Sequence, residues 1–100
     1  MKEIEISKII NDLDKYKIID IRDSYIYNLD SIPNSINIPK NFLIMNPENY
    51  LNVNDTYYIY CSYGVTSKEV CKILTNKGYD VVNIIGGFNE YKLKKHIFKD

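Results

Sequence analysis

One hundred residues suffice for one compact domain and are too few for two ordinary ones, so residues 1–100 read as a single domain. Hydrophobic residues at 45% and charged residues at 26% exclude an intrinsically disordered chain. The 13 Lys+Arg against 13 Asp+Glu give a formal net charge of zero, which offers no electrostatic ground for a nucleic-acid partner, and no apolar run approaches the roughly 20 residues that span a bilayer.

The first residues, Met1-Lys2-Glu3-Ile4-Glu5-Ile6, carry alternating charge and do not resemble the apolar core of a signal peptide, so the expected location is the cytoplasm. Glu3 to Ile6 alternates as a half-buried edge strand does. Ser7 then stands where it can cap a short helix with Ile9, Ile10 and Leu13 on one face. Lys17-Ile18-Ile19-Asp20-Ile21 is a β-branched run, predicted to be a buried strand ending at Asp20 or Arg22. Ser24 to Leu29 reads as a brief helical turn, Ser35 to Ile38 as a short strand stopped by Pro39, and Asn46-Pro47 as the start of a helix with Pro47 at its first position.

Tyr57 to Tyr60 is aromatic and β-branched, hence a strand. Thr66 to Lys77 follows as a helix with Val70, Ile73, Leu74 and Lys77 three and four apart. Thr66-Ser67-Lys68-Glu69 matches the capping box at its start, and Gly78 can take the left-handed conformation at its end. Val81 to Ile85 is a further strand, after which Gly86-Gly87 turns the chain into a last helix from Phe88 to about Phe98. Strands alternating with helices in so short a chain predict an α/β fold, a parallel sheet with helices on both faces. In such sheets sites gather where strands end and helices begin.

Cys61 stands at that boundary. The residues after it, Ser62-Tyr63-Gly64-Val65-Thr66, can wrap into a cradle, because Gly64 permits a positive φ without steric cost. Such a loop turns successive backbone amides inward and adds the positive end of the following helix. The thiolate of Cys61 is the form those amides stabilise, as they would a persulfide or the oxyanions of a sulfur donor. The residues alone also allow a buried apolar filler at this position. Cys71, inside a helix beside Val70 and Leu74, reads as core, and two cysteines in a reducing compartment do not make a disulfide framework.

Four segments in order resemble the rhodanese-homology domain, over almost the whole chain. Ile18-Ile19-Asp20-Ile21-Arg22-Asp23 is similar to the family's opening strand with its Asp-x-Arg ending. Ile32-Pro33-Asn34-Ser35-Ile36-Asn37-Ile38-Pro39 is similar to its I-P-G-A-x-N-I-P signature, and Cys61-Ser62-Tyr63-Gly64-Val65-Thr66-Ser67 to its active loop C-x-x-G-x-[RT]-S. Gly78-Tyr79, then Gly86-Gly87 with Tyr91 four residues on, complete the pattern. The resemblance implies a five-stranded parallel sheet flanked by helices, no metal and no cofactor, and a sulfurtransferase. Cys61 would attack the outer sulfur of a small sulfur-containing anion or thiol-derived donor, hold it as a persulfide, and pass it to cyanide, a thiol or a sulfur-acceptor protein. The amides of Ser62, Tyr63, Gly64, Val65, Thr66 and Ser67 would cradle the transferred sulfur. Thr66 and Ser67 would add hydroxyl donors where they do not cap the helix, and Arg22 would approach from the neighbouring strand end.

The sequence departs from the pattern in two places. The family's Gly-His before the Ile-Pro pair is Asp30-Ser31 here, and the single histidine, His96, falls in the last helix with no role assigned. Ser62, Tyr63, Val65 and Thr66 are uncharged, Lys68 being the nearest cation in sequence, whereas a dianion such as thiosulfate needs paired cations in a desolvated site. Weak use of thiosulfate and a persulfide or polysulfide donor are therefore expected. Arg22 also reads as one half of a salt bridge, and Asp20 as a hydrogen-bond acceptor that organises the loop. A cysteine-dependent phosphatase would need C-x5-R to clamp the phosphoryl oxygens, and residue 67 is Ser. The remaining alternatives are a sulfur carrier without turnover and a regulatory binding module.

Overall fold

In a computed structural model, which describes residues 1–98, the chain alternates strands and helices along its length. Strands β1 (Lys2–Glu5), β2 (Ile18–Asp20), β3 (Ser35–Asn37), β4 (Thr56–Tyr60) and β5 (Asp80–Ile85) form one sheet in the order β1-β5-β4-β2-β3. Every pairing is parallel, with Ile19 opposite both Ile59 and Ile36, and Lys2 opposite Val82. Helices α1 (Ser24–Leu29), α2 (Lys40–Met45), α3 (Val65–Asn76) and α4 (Gly87–Phe98) connect and cover it. This is the five-stranded parallel α/β sheet expected of the family resemblance.

The period-two alternation of the strands divides the core between the two faces. Ile19, Ile59 and Val81 point to the α3 side, where they meet Leu43, Val70, Cys71 and Leu74. Ile18, Tyr60 and Ile84 point the other way, onto Ile6, Ile9, Ile10, Leu13 and the α4 residues Phe88 and Tyr91. Cys61 continues the β4 alternation onto the α3 side.

Three local expectations need correction, and one helix was not foreseen. Residues 6–15 are not an α-helix capped by Ser7 but two 3-10 turns, Ile6–Lys8 and Ile10–Lys15, with Ser7 inside the first. Ile9 breaks the helix at φ −124° between the two turns, and Asp12 departs from helical geometry inside the second, at φ −135° and ψ 35°. Pro47 does open a helical turn, but only the 3-10 segment Pro47–Asn49. Helix α2 precedes it where sequence periodicity predicts nothing: it has six residues, with Leu43 buried and Phe42 and Met45 exposed. A tertiary bond from the Lys40 amide to the Ile21 carbonyl (3.1 Å) fixes its start. The capping box at Thr66 and Glu69 is absent, because α3 begins one residue earlier with Gly64 at its N-cap position. Gly78 follows the C-terminus of α3 at φ +95°, the expected left-handed exit.

Candidate active site

Strand β4 ends at Tyr60, and the next four residues, Cys61 to Gly64, turn the chain into α3. Gly64 makes the turn at φ +87°, and a Cβ there would lie 2.7 Å from the Gly86 nitrogen. Conformation and space both require glycine at this point. The turn places Cys61 Sγ 3.2 Å from the amide of Gly64 and 3.2 Å from that of Ser67, both donating to it. Ser67 is the third helical residue of α3, and its amide is one that an N-cap side chain ordinarily takes. The cysteine sulfur therefore occupies the place of the helix cap that Gly64, with no side chain, cannot fill.

Cys61 is itself 7% exposed. Its thiol donates to Ser67 Oγ (3.3 Å), and that hydroxyl lies 2.5 Å from Asn83 Oδ1 on β5. The amides of Ser62, Tyr63, Val65 and Thr66 donate to no acceptor among the described residues. The carbonyls on the other side of the loop are held by α4: Phe88 N donates to Cys61 O (2.9 Å) and Asn89 N to Ser62 O (3.0 Å).

The loop forms one wall of an open cleft of about 720 Å³. Cys61, Ser62, Tyr63, Val65 and Thr66 line one side, and Arg22, Lys40 and Phe42 are among those opposite. Gly64 and Ser67 are not lining residues. They lie behind the sulfur and contribute their amides.

Arg22 lines the same cleft, but most of its fork is engaged. Nε bonds both Asp20 oxygens (3.1 and 3.0 Å), and Nη2 donates to Asp20 Oδ2 and the Asp30 carbonyl, each at 2.7 Å. Burial works against the guanidinium charge, yet the bonds to Asp20 outweigh it and hold the group above its ordinary value. The guanidinium also lies 4.4 Å from the Phe88 ring centre. Nη1 has no hydrogen-bond partner among the described residues. Asp20 further accepts the Arg22 amide (2.8 Å), and Asn37 Nδ2 bridges the Asp20 and Arg22 carbonyls, so this strand end is rigidly organised.

Lys68 does not line the cleft. It pairs with Glu3 on β1 at 3.6 Å. The cation that sequence reading missed is Lys40, exposed at the start of α2, with no ion pair among the described residues. Its position directly after Ile38-Pro39 was the available signal. Asn83 and Glu3 were missed as well, although a lone polar residue within Val81-Val82-Asn83-Ile84-Ile85 marks a place where a buried amide must find partners. Asp30 and Ser31, in place of the family's Gly-His, supply the carbonyl held by Arg22 and a local turn bond of 3.0 Å. His96 is exposed on α4. Cys71 is fully buried, and burial pushes its thiol up to about 12. Among the described residues no group of three or more His, Cys, Asp or Glu could hold a metal ion, and no helix is long and apolar enough to cross a membrane.

A family model described as a rhodanese-like domain matches residues 5–94. A 64-residue stretch is 42% identical to part of a tRNA sulfurtransferase of Thermoplasma acidophilum, covering 61% of this chain and 12% of that much longer protein. Among solved structures, a rhodanese-like domain protein of Staphylococcus aureus is 34% identical with a TM-score of 0.82, over 91% of each chain. A Staphylococcus saprophyticus protein is 32% identical with a TM-score of 0.83, over 91% of this chain and 93% of that one.

Proposed function

The chain belongs to the rhodanese-like family, and from that premise we propose that it is a sulfurtransferase in which Cys61 carries a sulfane sulfur from donor to acceptor. The observation that supports this reading most directly is the placement of Cys61 Sγ, at the wall of an open cleft and bonded by two backbone amides, with four neighbouring loop amides that have no acceptor among the described residues. A group of unpaired amides beside a nucleophile suits an anionic sulfur added to it. In the first half-reaction the Cys61 thiolate attacks the outer sulfur of the donor. The donor's S–S bond breaks, the leaving group departs with the electron pair, and Cys61 becomes a persulfide. In the second, cyanide or a thiolate attacks that outer sulfur and the pair returns to Cys61.

Ser62 to Ser67 supply the amides in this scheme, and Arg22 serves the cleft through its free Nη1. Thiosulfate is a poor fit as donor. The loop is uncharged, Arg22 is largely neutralised by Asp20, and Lys40 is solvated, so no close pair of desolvated cations meets a dianion. A persulfide or polysulfide donor suits the cleft better. The likeness to part of a tRNA sulfurtransferase supports sulfur chemistry, while a net charge of zero gives no electrostatic ground for carrying its tRNA over. The free buried cysteines suit a reducing compartment, and the cytoplasm is the proposed location.

The test is intact-mass spectrometry after incubation with polysulfide and, separately, with thiosulfate. The expected product is a one-sulfur adduct that cyanide removes, formed more readily from polysulfide and absent in Cys61→Ala. No adduct, or one that persists in Cys61→Ala, overturns the reading. An adduct without repeated turnover assigns a sulfur carrier instead, and saturation by micromolar thiosulfate overturns the donor preference.

A further inference from the structure

Behind Cys61 a chain of hydrogen bonds runs from Ser67 on α3 across the strands β5 and β1. Asn83, 1% exposed in the centre of β5, is its hinge. Asn83 Nδ2 donates to Glu3 Oε2 on β1 (3.0 Å) and to the Gly64 carbonyl (3.3 Å), and both of those atoms only accept. The amide therefore cannot be turned round without setting oxygen against oxygen. Its Oδ1 must face Ser67 Oγ, at 2.5 Å. Ser67 has a single hydroxyl proton, and Oδ1 can only accept, so the proton lies on that bond. What Ser67 presents to Cys61 Sγ, at 3.3 Å, is a lone pair.

Two opposing effects consequently act on one sulfur. The amides of Gly64 and Ser67 favour the thiolate, while the Ser67 oxygen accepts from the neutral thiol and repels the anion. For the hydroxyl to turn and donate to a thiolate it would have to abandon Asn83 Oδ1, leaving a buried carbonyl oxygen unpaired. We propose that Asn83, anchored by Glu3, is a positioning residue that directs the Ser67 hydroxyl proton away from Cys61 and so restrains the ionisation of the thiol. The bond to Asn83, with help from Lys68, keeps the Glu3 carboxyl below its ordinary value, so the anchor is a carboxylate throughout the neutral range. Glu3 is paired with Lys68 at 3.6 Å, which steadies it further.

Other charged and titratable groups face the same sulfur region. Asp20 and Arg22 come from the end of β2, Asp23 from the turn that follows it, and Lys40 from α2. Asp30, at the end of α1, and Lys92 on α4 line a second pocket with Ser62, and Cys71 is buried in the same core as Cys61. A substitution at Asn83 alters none of these directly, but it also releases Glu3 and the Gly64 carbonyl, an effect that a Ser67→Ala background holds constant.

The experiment is the pH profile of Cys61 alkylation by iodoacetamide, followed by mass spectrometry on the whole chain. Because it uses no sulfur donor, it succeeds or fails separately from the sulfurtransferase reading. Asn83→Leu, close to the same size, should move the midpoint to lower pH and speed alkylation below the wild-type midpoint by about three- to tenfold, the worth of one hydrogen bond. Asn83→Val, favoured in a central strand, carries the same test should the leucine variant not fold. In a Ser67→Ala background, with no hydroxyl to direct, the Asn83 substitution should leave the profile where it is. A midpoint unmoved or raised by Asn83 substitution overturns the proposal, as does an equal shift in the Ser67→Ala background.

Discussion

At Gly87 the backbone comes so close to the active loop that a Cβ would lie 2.2 Å from the Cys61 carbonyl oxygen and 3.0 Å from the Gly64 nitrogen. Both neighbours are backbone, so neither can swing aside. Gly87→Ala should therefore displace the loop and cost more than the roughly 1–2 kcal/mol of a left-handed conformation alone. Gly78 provides the comparison, since it also has positive φ but nothing stands within 4 Å of its missing Cβ. Gly78→Ala should show only the conformational cost, with cyanide-removable sulfur loading intact. Urea unfolding and sulfur loading of both variants check this, and equal behaviour would contradict it. At this scale the sequence was partly legible. Cys61 and Gly64 stood out by their position after a strand, whereas the role of Ser67 depends on Asn83 and Glu3, and no local spacing links residues 16 and 80 positions apart.

Among the elements, the edge strand β1 is tied to β5 by a charged contact at one end. Lys2 donates to Asp80 at 2.7 Å, and Thr56 donates to the other Asp80 oxygen at 2.5 Å. The bond from Lys2, followed by that from Thr56, holds the Asp80 carboxyl below its usual 3.8. A carboxylate depressed in the folded state contributes stability above its unfolded value, and that contribution disappears as the pH falls through the lower folded one. An NMR titration should place Asp80 below 3.8, and Lys2→Ala should raise it while Thr56 keeps part of the shift. A value unchanged by Lys2→Ala would show the contact to be absent in solution. The strands were legible because burial on both faces demands uninterrupted β-branched runs, as in Ile18-Ile19 and Val81-Val82. Helix α2 was not legible, because six residues are too few for a period and a tertiary bond from Lys40 to Ile21 sets its start. The beginning of α3 was misread for a related reason: the cap comes from a sulfur six residues before the Ser67 amide it accepts, and not from Thr66.

Across the whole molecule, the two faces of the sheet bury acids that ionise only at alkaline pH. Burial pushes the Cys71 thiol from 9.0 up to about 12 on the α3 side, and raises Tyr60 and Tyr91 on the other. Each group is protonated when folded and ionises more readily once unfolded. Their contribution to stability is thus complete below about pH 9 and declines as the pH rises past it, by about 1.4 kcal/mol per unit for one fully shifted group. Urea unfolding under reducing conditions at pH 8, 9 and 10 should show the decline, and Cys71→Ala should flatten it between 9 and 10. A pH-independent midpoint would contradict the assignment. The helix-capping sulfur has an evolutionary consequence too. A descendant that abandoned the chemistry and replaced Cys61 would still need an acceptor for the Ser67 amide at the head of α3. Selection for a well-formed helix therefore favours a replacement that still accepts from that amide, as Ser or Asp would.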